Sequence, residues 1–474
     1  MSIFQVLTLG HLKTAKFFCS RWKNDIKIIN SGEIYMWVDK TKLWEKKGSS
    51  ELINFIGDYL DRKFNEMVNQ LNKIKKMKDI KDMKENNKLE KKCSDRTFLN
   101  NVYECCKGLL KDSEFNGKID SNREVINFKN GIFNLRKGVF RKRVRDDYIS
   151  VCLPYNYSDN VDKDILEKVN KIIKNVCNDE KDMAESMKSW LGYCITGETK
   201  EAKNMWLIGP KASNGKTSLS NMYSKALPIY YFEVNNKTFT TDYTKIHKQL
   251  NHCRKPIRLV VAEELEKKKQ DANAIKKFVD GSNINIEVMH GTCISVDLHA
   301  KLMTISNHSP NFNTDQGLRR RGLLAEFKNE FLDSDEYEKR KKEKGIYKAD
   351  VNLYKKFERL EYKLAFLNII LPYSKKYYEK GLIISKQIKE DFKNLCNDND
   401  EIKTFIDDNF TRTDKSSDVV NKNEILELKN SLSKNKMTWQ YILSDLKRLR
   451  LDYNKDKMKD GIKGCVIGLK LKNN

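Results

Sequence analysis

The sequence predicts an α/β protein, with a core of buried parallel-type strands between an α+β N-terminal region and a C-terminal region ending in a winged-helix-like unit. Three observations carry that reading. Three strand-like runs, Met205–Ile208, Leu259–Ala262 and Leu302–Asn307, are largely apolar, and each ends at or is followed by a polar or glycine residue. Central strands covered on both faces look like this, and their C-terminal ends are where polar groups meet solvent. A turn-rich loop, Gly209–Gly215, follows the first run and opens a helix at Lys216-Thr217. Near the C-terminus, an amphipathic stretch (Trp439, Ile442, Leu443, Leu446) precedes Leu451-x-Tyr453, a basic turn and Gly464–Leu469, which reads as helix, strand, turn, strand.

The chain has 474 residues, enough for two to four domains, and a formal net charge of +25. That charge favours a polyanionic partner, above all nucleic acid, although a generally lysine-rich surface explains it equally well. The eleven cysteines sit singly apart from Cys105-Cys106, and no C-x-x-C occurs, so a reducing intracellular compartment is expected. No signal peptide opens the chain. The longest apolar candidate, Leu364–Leu371, is too short for a membrane span and stops at Pro372, so a soluble protein without a membrane partner is expected.

In chain order, residues 1–160 read as mixed α/β. Ile34–Val38, a turn and Leu43-Trp44 form a hairpin, Ser49 caps an amphipathic helix, and the lysine-dense 71–92 stretch is a solvated helix or helical hairpin. Val125–Phe128 and Ile132–Leu135 flank an Asn-Gly turn. The string Arg141-Lys-Arg-Val-Arg145 reads either as a phosphate contact or as an edge strand kept soluble by charge, with the edge strand favoured. Residues 161–195 carry two helical apolar faces, one through Val169 and Ile173, the other through Met187 and Trp190, and serve as a collar or packing element.

The loop after Ile208 has the composition of a phosphate cradle. Gly209, Pro210, Lys211, Ala212, Ser213, Asn214, Gly215, Lys216, Thr217 and Ser218 offer successive backbone N–H groups and a helix N-terminus. Lys216 suits β/γ-phosphates and the Thr217 hydroxyl suits Mg²⁺. The spacing is off by one: Gly209 lies one residue too early, and Pro210 stands where the first glycine is usual. Glu263 and Glu264 end the next apolar run about 45 residues further on. Hydrolysis of a nucleotide needs one acid near the metal, suiting Glu263, and one on the attacking water, suiting Glu264. Asn307 ends the third run, placed to hold a γ-phosphate or water. Arg319-Arg320-Arg321 is either a solvated basic turn or a source of an arginine finger.

In order and spacing these segments resemble superfamily 3 helicases, specifically the poxvirus/phage-type primase-helicase branch. Ser189–Gly197 is similar to that branch's lead-in, Asn214–Thr217 to its N-G-K-[ST] core, Asn307-x-x-Pro310 to its sensor, and Asp315-x-Gly317-x-x-Arg320-Arg321 to its arginine motif, with Arg319 where Trp is usual. Ile126–Leu135 and Tyr148-Ile149 resemble its associated N-terminal domain. The resemblance implies an AAA+-like P-loop ATPase core at 196–344, an N-terminal domain at 1–160, a helical collar at 161–195 and a C-terminal helical and winged-helix-like domain at 345–474. It implies an ATP-dependent replicative DNA helicase of a virus or plasmid, working as a hexameric ring with ATP and Mg²⁺ (Thr217, Glu263). The implied catalytic set is Lys216, Glu263, Glu264, Asn307, Arg320 and Arg321. A channel hairpin with arms Ile284–Met289 and Cys293–Leu298 implies DNA contacts at His290, with Lys276, Lys277 and Lys301 in reserve. The implied partners are DNA, further copies of the chain and a separate primase or polymerase. The expected location is a viral factory in the cytoplasm or the nucleus. No primase-type acid pair precedes residue 160, so primase activity is not expected. The alternative is a weakly catalytic DNA-binding replication scaffold, for which the altered loop is the reason.

Overall fold

The computed structural model describes residues 2–73, 80–209, 211–235, 237–240, 256–263, 270–281, 284–286, 294–296, 298–312, 316–432 and 438–472. Its centre is a sheet of five parallel strands: β1 (Asn204–Ile208), β2 (Tyr231–Val234), β3 (Leu259–Ala262), β4 (Lys301–Ser306) and β5 (Gly322–Glu326), in the order β5-β1-β4-β3-β2. Register aligns Trp206 of β1 with Thr304 of β4, and Thr304 with Ala262 of β3. The polar residues that follow these three strands therefore emerge along one edge. The chain leaves β1 toward one side of the sheet and returns from β4 to the other, which makes the β1/β4 boundary a topological switch point. Open parallel sheets bind ligands in the crevice there. All residues of β1, β3 and β4 are buried, including the polar Asn204 of β1 and Lys301, Thr304 and Ser306 of β4. Sequence pattern missed β2 and β5: β2 is only partly buried and β5 opens with glycine.

Two helices, α1 (Lys163–Val176) and α2 (Lys181–Cys194), match the apolar faces read from sequence. Val169, Ile173, Met187 and Trp190 share one core with Met205 and Leu207 of β1 and with the long helix α4 (Leu360–Lys380), while helix α3 (Lys216–Ala226) adds Leu219 and Tyr223. The boundaries expected at 195 and 344 therefore cut through one hydrophobic core. The helix Lys386–Asp398 closes the opposite face, where Phe392 stacks on Trp206 at 4.8 Å. Pro372 does not stop its helix as expected. The helix runs on to Lys380, held by tight packing: a Cβ on Gly192 would lie 2.5 Å from Tyr373 Cβ. A proline inside a helix costs about 3 kcal/mol, which tertiary burial of this size offsets.

In the N-terminal region, Ile34–Val38 pairs with Leu43–Lys47 with Trp37 opposite Trp44, as expected. Val125–Phe128 pairs with Gly131–Asn134, and Val139–Arg141 lies on the edge. The neighbouring basic string is structural. Buried Arg143 donates to Asn127 and to the Thr41 and Lys42 carbonyls, Arg141 pairs with Asp147, and Arg145 with Asp25. In the lysine-dense stretch, the helix Ile80–Ser94 packs back on the helix Ser49–Lys73, with the Cys93 carbonyl against Gly57.

The C-terminal unit has a separate core of Ile406, Val420, Ile425, Ile442, Leu446 and Val466. Its order is helix Glu401–Asn409, strand Val419–Asn421, helices Lys422–Leu432 and Trp439–Arg448, then antiparallel strands Asp452–Lys459 and Ile462–Ile467. The strand Ile462–Ile467 lies in the middle of this sheet.

Candidate functional site

The site lies at the C-terminal ends of β1, β3 and β4. Leaving β1, Gly209 donates its N–H to the Ser306 carbonyl of β4 at 3.3 Å. The loop then places Ser213 at φ +60° and Gly215 at φ +78°, two left-handed positions on either side of Asn214. Alternating backbone handedness of this kind turns consecutive N–H groups toward one concavity, a nest for anions. Gly215 is the N-cap of α3 and Lys216 its first residue, so the helix dipole points into the same concavity. A Cβ on Gly215 would lie 2.7 Å from Val176, so glycine serves both backbone handedness and close approach of α1.

Lys216 is buried, and its Nζ donates to Asn307 Oδ1 at 3.0 Å, and more weakly to Asn214 Oδ1 and the Gly209 carbonyl, both at 3.4 Å. Burial lowers its pKa, because a desolvated ammonium lacks the water that favours charge. An arriving anion would restore that stabilisation. Buried Asn214 is fixed by its Nδ2 donating to the Asn329 carbonyl at 2.8 Å. A Cβ on Gly209 would fall 2.6 Å from Asn214 Oδ1 and 2.7 Å from Lys216 Nζ. Gly209 thus belongs to the cradle despite its offset in sequence.

The remaining sequence-derived residues divide. Thr217 is exposed in the first turn of α3, and Glu263 follows β3, one step beyond the Ala262–Thr304 pairing. Lys211 is exposed but ion-paired with Glu330 at 2.7 Å. Arg340 and Lys211 together hold the Glu330 carboxyl down at about 2. Ala212 and Ser213 are exposed on the loop, and Ser218 is half-buried in α3. Glu264, Pro210, Asp315 and His290 lie outside the described residues. The expected hairpin is present where described: Ile284–Ile286 pairs antiparallel with Ile294–Val296. Lys277 is exposed and Lys276 half-buried on the helix Ala272–Val279.

Two expectations are corrected. Lys301 is no DNA contact. At 2 % exposure it starts β4 inside the protein, donates to the Thr196 and His299 carbonyls, and is pushed by burial to about 7. Arg321 is no arginine finger. Its guanidinium is bidentate to Asp280, at 2.7 and 2.8 Å, and also donates to the Gly317 carbonyl. Arg319 is likewise held, by Asn397, Asp400 and the Cys396 carbonyl. Arg320 alone of the three is exposed. It precedes β5, whose first residue pairs with the first residue of β1, at the opposite end of the sheet from Lys216. Five strand residues at about 3.3 Å each separate the two ends by about 16 Å.

Sequence reasoning also missed an apolar cavity of about 410 Å³ beside the loop. Its lining joins Ser213, Gly215 and Ser218 to aromatic side chains from residues 331–357, and no short motif marks it.

Residues 15–197 match the "D5 N terminal like" family, and residues 207–321 match a "Family of unknown function (DUF5906)". The chain is 27% identical over 342 residues to the putative helicase L207/L206 of Acanthamoeba polyphaga mimivirus, covering 69% of this chain and 35% of that protein. It is 22% identical over 443 residues to the putative helicase V13 of Sputnik virophage, covering 90% and 54%. Against Primase D5 of Fowlpox virus (strain NVSL) it is 23% identical over 283 residues, covering 56% and 35%. The chain thus spans between about a third and a half of the length of these relatives. Among solved structures, the apo C-terminal region of NrS-1 aligns over 97% of this chain and 99% of that one, at 10% identity and a TM-score of 0.46. Two successive family matches and these relatives make the chain similar to viral proteins named putative helicase or Primase D5.

Proposed function

We propose that this chain is the motor of an ATP-dependent replicative DNA helicase that assembles as a hexameric ring. The observation that carries the reading is the buried Lys216 ammonium, 3.0 Å from Asn307 inside a loop with two left-handed residues at a helix N-terminus. In this reading the β- and γ-phosphates replace Gly209, Asn214 and Asn307 as partners of Lys216. Asn307, released, holds the γ-phosphate or the attacking water. Thr217 and Glu263 would hold Mg²⁺, which supplies charge neutralisation on the phosphates. Glu264 orients or deprotonates the water.

Arg320 belongs to the neighbouring subunit's site, because its own Lys216 lies at the far end of the sheet. A head-to-tail contact of this sort closes into a ring when the rotation permits. The C-terminal unit, with its strand–helix–helix–strand–strand order, is read as a winged helix. Its hairpin carries exposed Lys455 and Lys457 toward DNA. The names of the mimivirus and virophage relatives support helicase action. We assign helicase rather than primase chemistry to these residues, and primer synthesis by the purified chain would overturn that part.

ATP turnover with and without single-stranded DNA tests the reading. Wild type should hydrolyse ATP faster with DNA, and Lys216→Ala should be inactive. Normal turnover in Lys216→Ala, or none in wild type, would contradict it. In the second case the scaffold alternative would take its place.

A further inference from the structure

The 410 Å³ cavity beside the loop shares Ser213 and Gly215 with the cradle, while Lys216 and Asn307 are not in its lining. Ser213, Gly215 and Ser218 form its inner wall, so it continues from the phosphate cradle. Its outer walls are Phe331 and Tyr347, stacked at 5.6 Å and 25°, and Tyr354, which is half exposed. Val351, at the same cavity, is 87% exposed, an apolar side chain left in water. Tyr347 is held in place by its hydroxyl, which donates to Asp179 Oδ2. The Lys225 ammonium lies 4.1 Å from the Tyr354 ring. Asn221 of α3 offers the floor a carboxamide.

We infer that this cavity seats the purine and ribose of the nucleoside triphosphate whose phosphates occupy the loop; the inference rests on the phosphate-loop reading above. Direction along the loop supports it. The Lys216 ammonium points at Asn307, which sets the γ-phosphate end at the strand edge. Ser218, two residues further along α3, faces the cavity, so a triphosphate laid along the loop delivers its nucleoside there. The cavity is of ligand size, mostly apolar, and lined by rings that stack on a flat base. Residues 346–358, outside both family regions, thus supply the base wall. Ordering Tyr354 and Val351 over the base removes apolar surface that is otherwise exposed.

The test uses the full chain and two probes, Mg·ADP and Mg·pyrophosphate, titrated calorimetrically. Tyr354→Ala removes one wall, and Asn221→Phe fills the floor. Both should weaken ADP by about tenfold or more, the scale of losing one base–aromatic stack. Both should leave pyrophosphate within about twofold, which also shows that the variants are folded. Lys216→Ala should weaken both probes. Unchanged ADP affinity in the two cavity variants, or an equal loss of pyrophosphate, would overturn the inference while leaving the phosphate loop standing. Wild type binding neither probe would overturn the phosphate-loop reading, and this inference with it.

Discussion

Gly209→Ala tests whether the loop grips phosphate despite its unusual spacing. The added Cβ would meet Lys216 Nζ at 2.7 Å and Asn214 Oδ1 at 2.6 Å. Asn214 cannot easily yield, because its other amide atom is tied to the Asn329 carbonyl. Lys216, the flexible partner, must retreat by about 0.7 Å, the difference between 2.7 Å and the 3.4 Å of ordinary contact, and the contact with the fixed Asn214 adds overpacking. The backbone itself accepts alanine, since Gly209 is absent from the left-handed positions. Folding stability should fall by about 1 kcal/mol, a modest overpacking cost. Misplacing a catalytic cation by close to 1 Å costs on the order of 100-fold in rate, or about 2.7 kcal/mol of barrier. Steady-state phosphate release and a urea midpoint separate the two effects. Gly108→Ala, in a helix with open space around its would-be Cβ, is the control and should leave turnover unchanged. Turnover within about twofold of wild type in Gly209→Ala would refute the placement of Gly209 in the cradle.

Three further outcomes follow. Arg321→Ala should destabilise the fold by about 1–3 kcal/mol in chemical denaturation, because it leaves Asp280 without its bidentate partner, whereas Arg320→Ala should leave the midpoint unchanged. Burial lowers the Lys301 pKa from lysine's ordinary 10.5 to about 7, so above pH 7 the unfolded chain binds the extra proton. Stability should therefore rise as pH goes from about 7 toward 10, by on the order of a few kcal/mol, and Lys301→Met should flatten that rise in urea midpoints measured across this window. DNA affinity should fall steeply with salt, and replacing Lys455 and Lys457 by Gln should reduce the log–log slope by about 1.4 on single strands, measured by fluorescence anisotropy; an unchanged slope removes the hairpin from the DNA interface.

Uniformly buried parallel strands are easy to read, and β1, β3 and β4 were visible because every residue in each is covered. Strand ends then pointed to Gly209, Glu263 and Asn307 without a structure. What stayed hidden depends on contacts distant in sequence. Lys301 and Lys277 look alike in sequence, yet one begins a buried strand and the other rides an exposed helix face. Arg319, Arg320 and Arg321 differ only in which way a short helix turns them: two meet carboxylates at Asp400 and Asp280, and the third meets solvent. The one-residue offset of Gly209 suggested a weakened grip, because motif spacing does not report which atoms converge in space. The cavity beside the loop was equally hidden, since its walls come from α1, α3 and residues 331–357.

Mixing two inactive variants tests most directly whether the ATP site is shared between subunits. Lys216→Ala disables one side of each site and Arg320→Ala the other, so each alone should be silent. In a 1:1 mixture, some interfaces pair an intact Lys216 with an intact Arg320, and ATP turnover should reappear. A mixture as silent as its parts, or Arg320→Ala active by itself, would contradict the shared site.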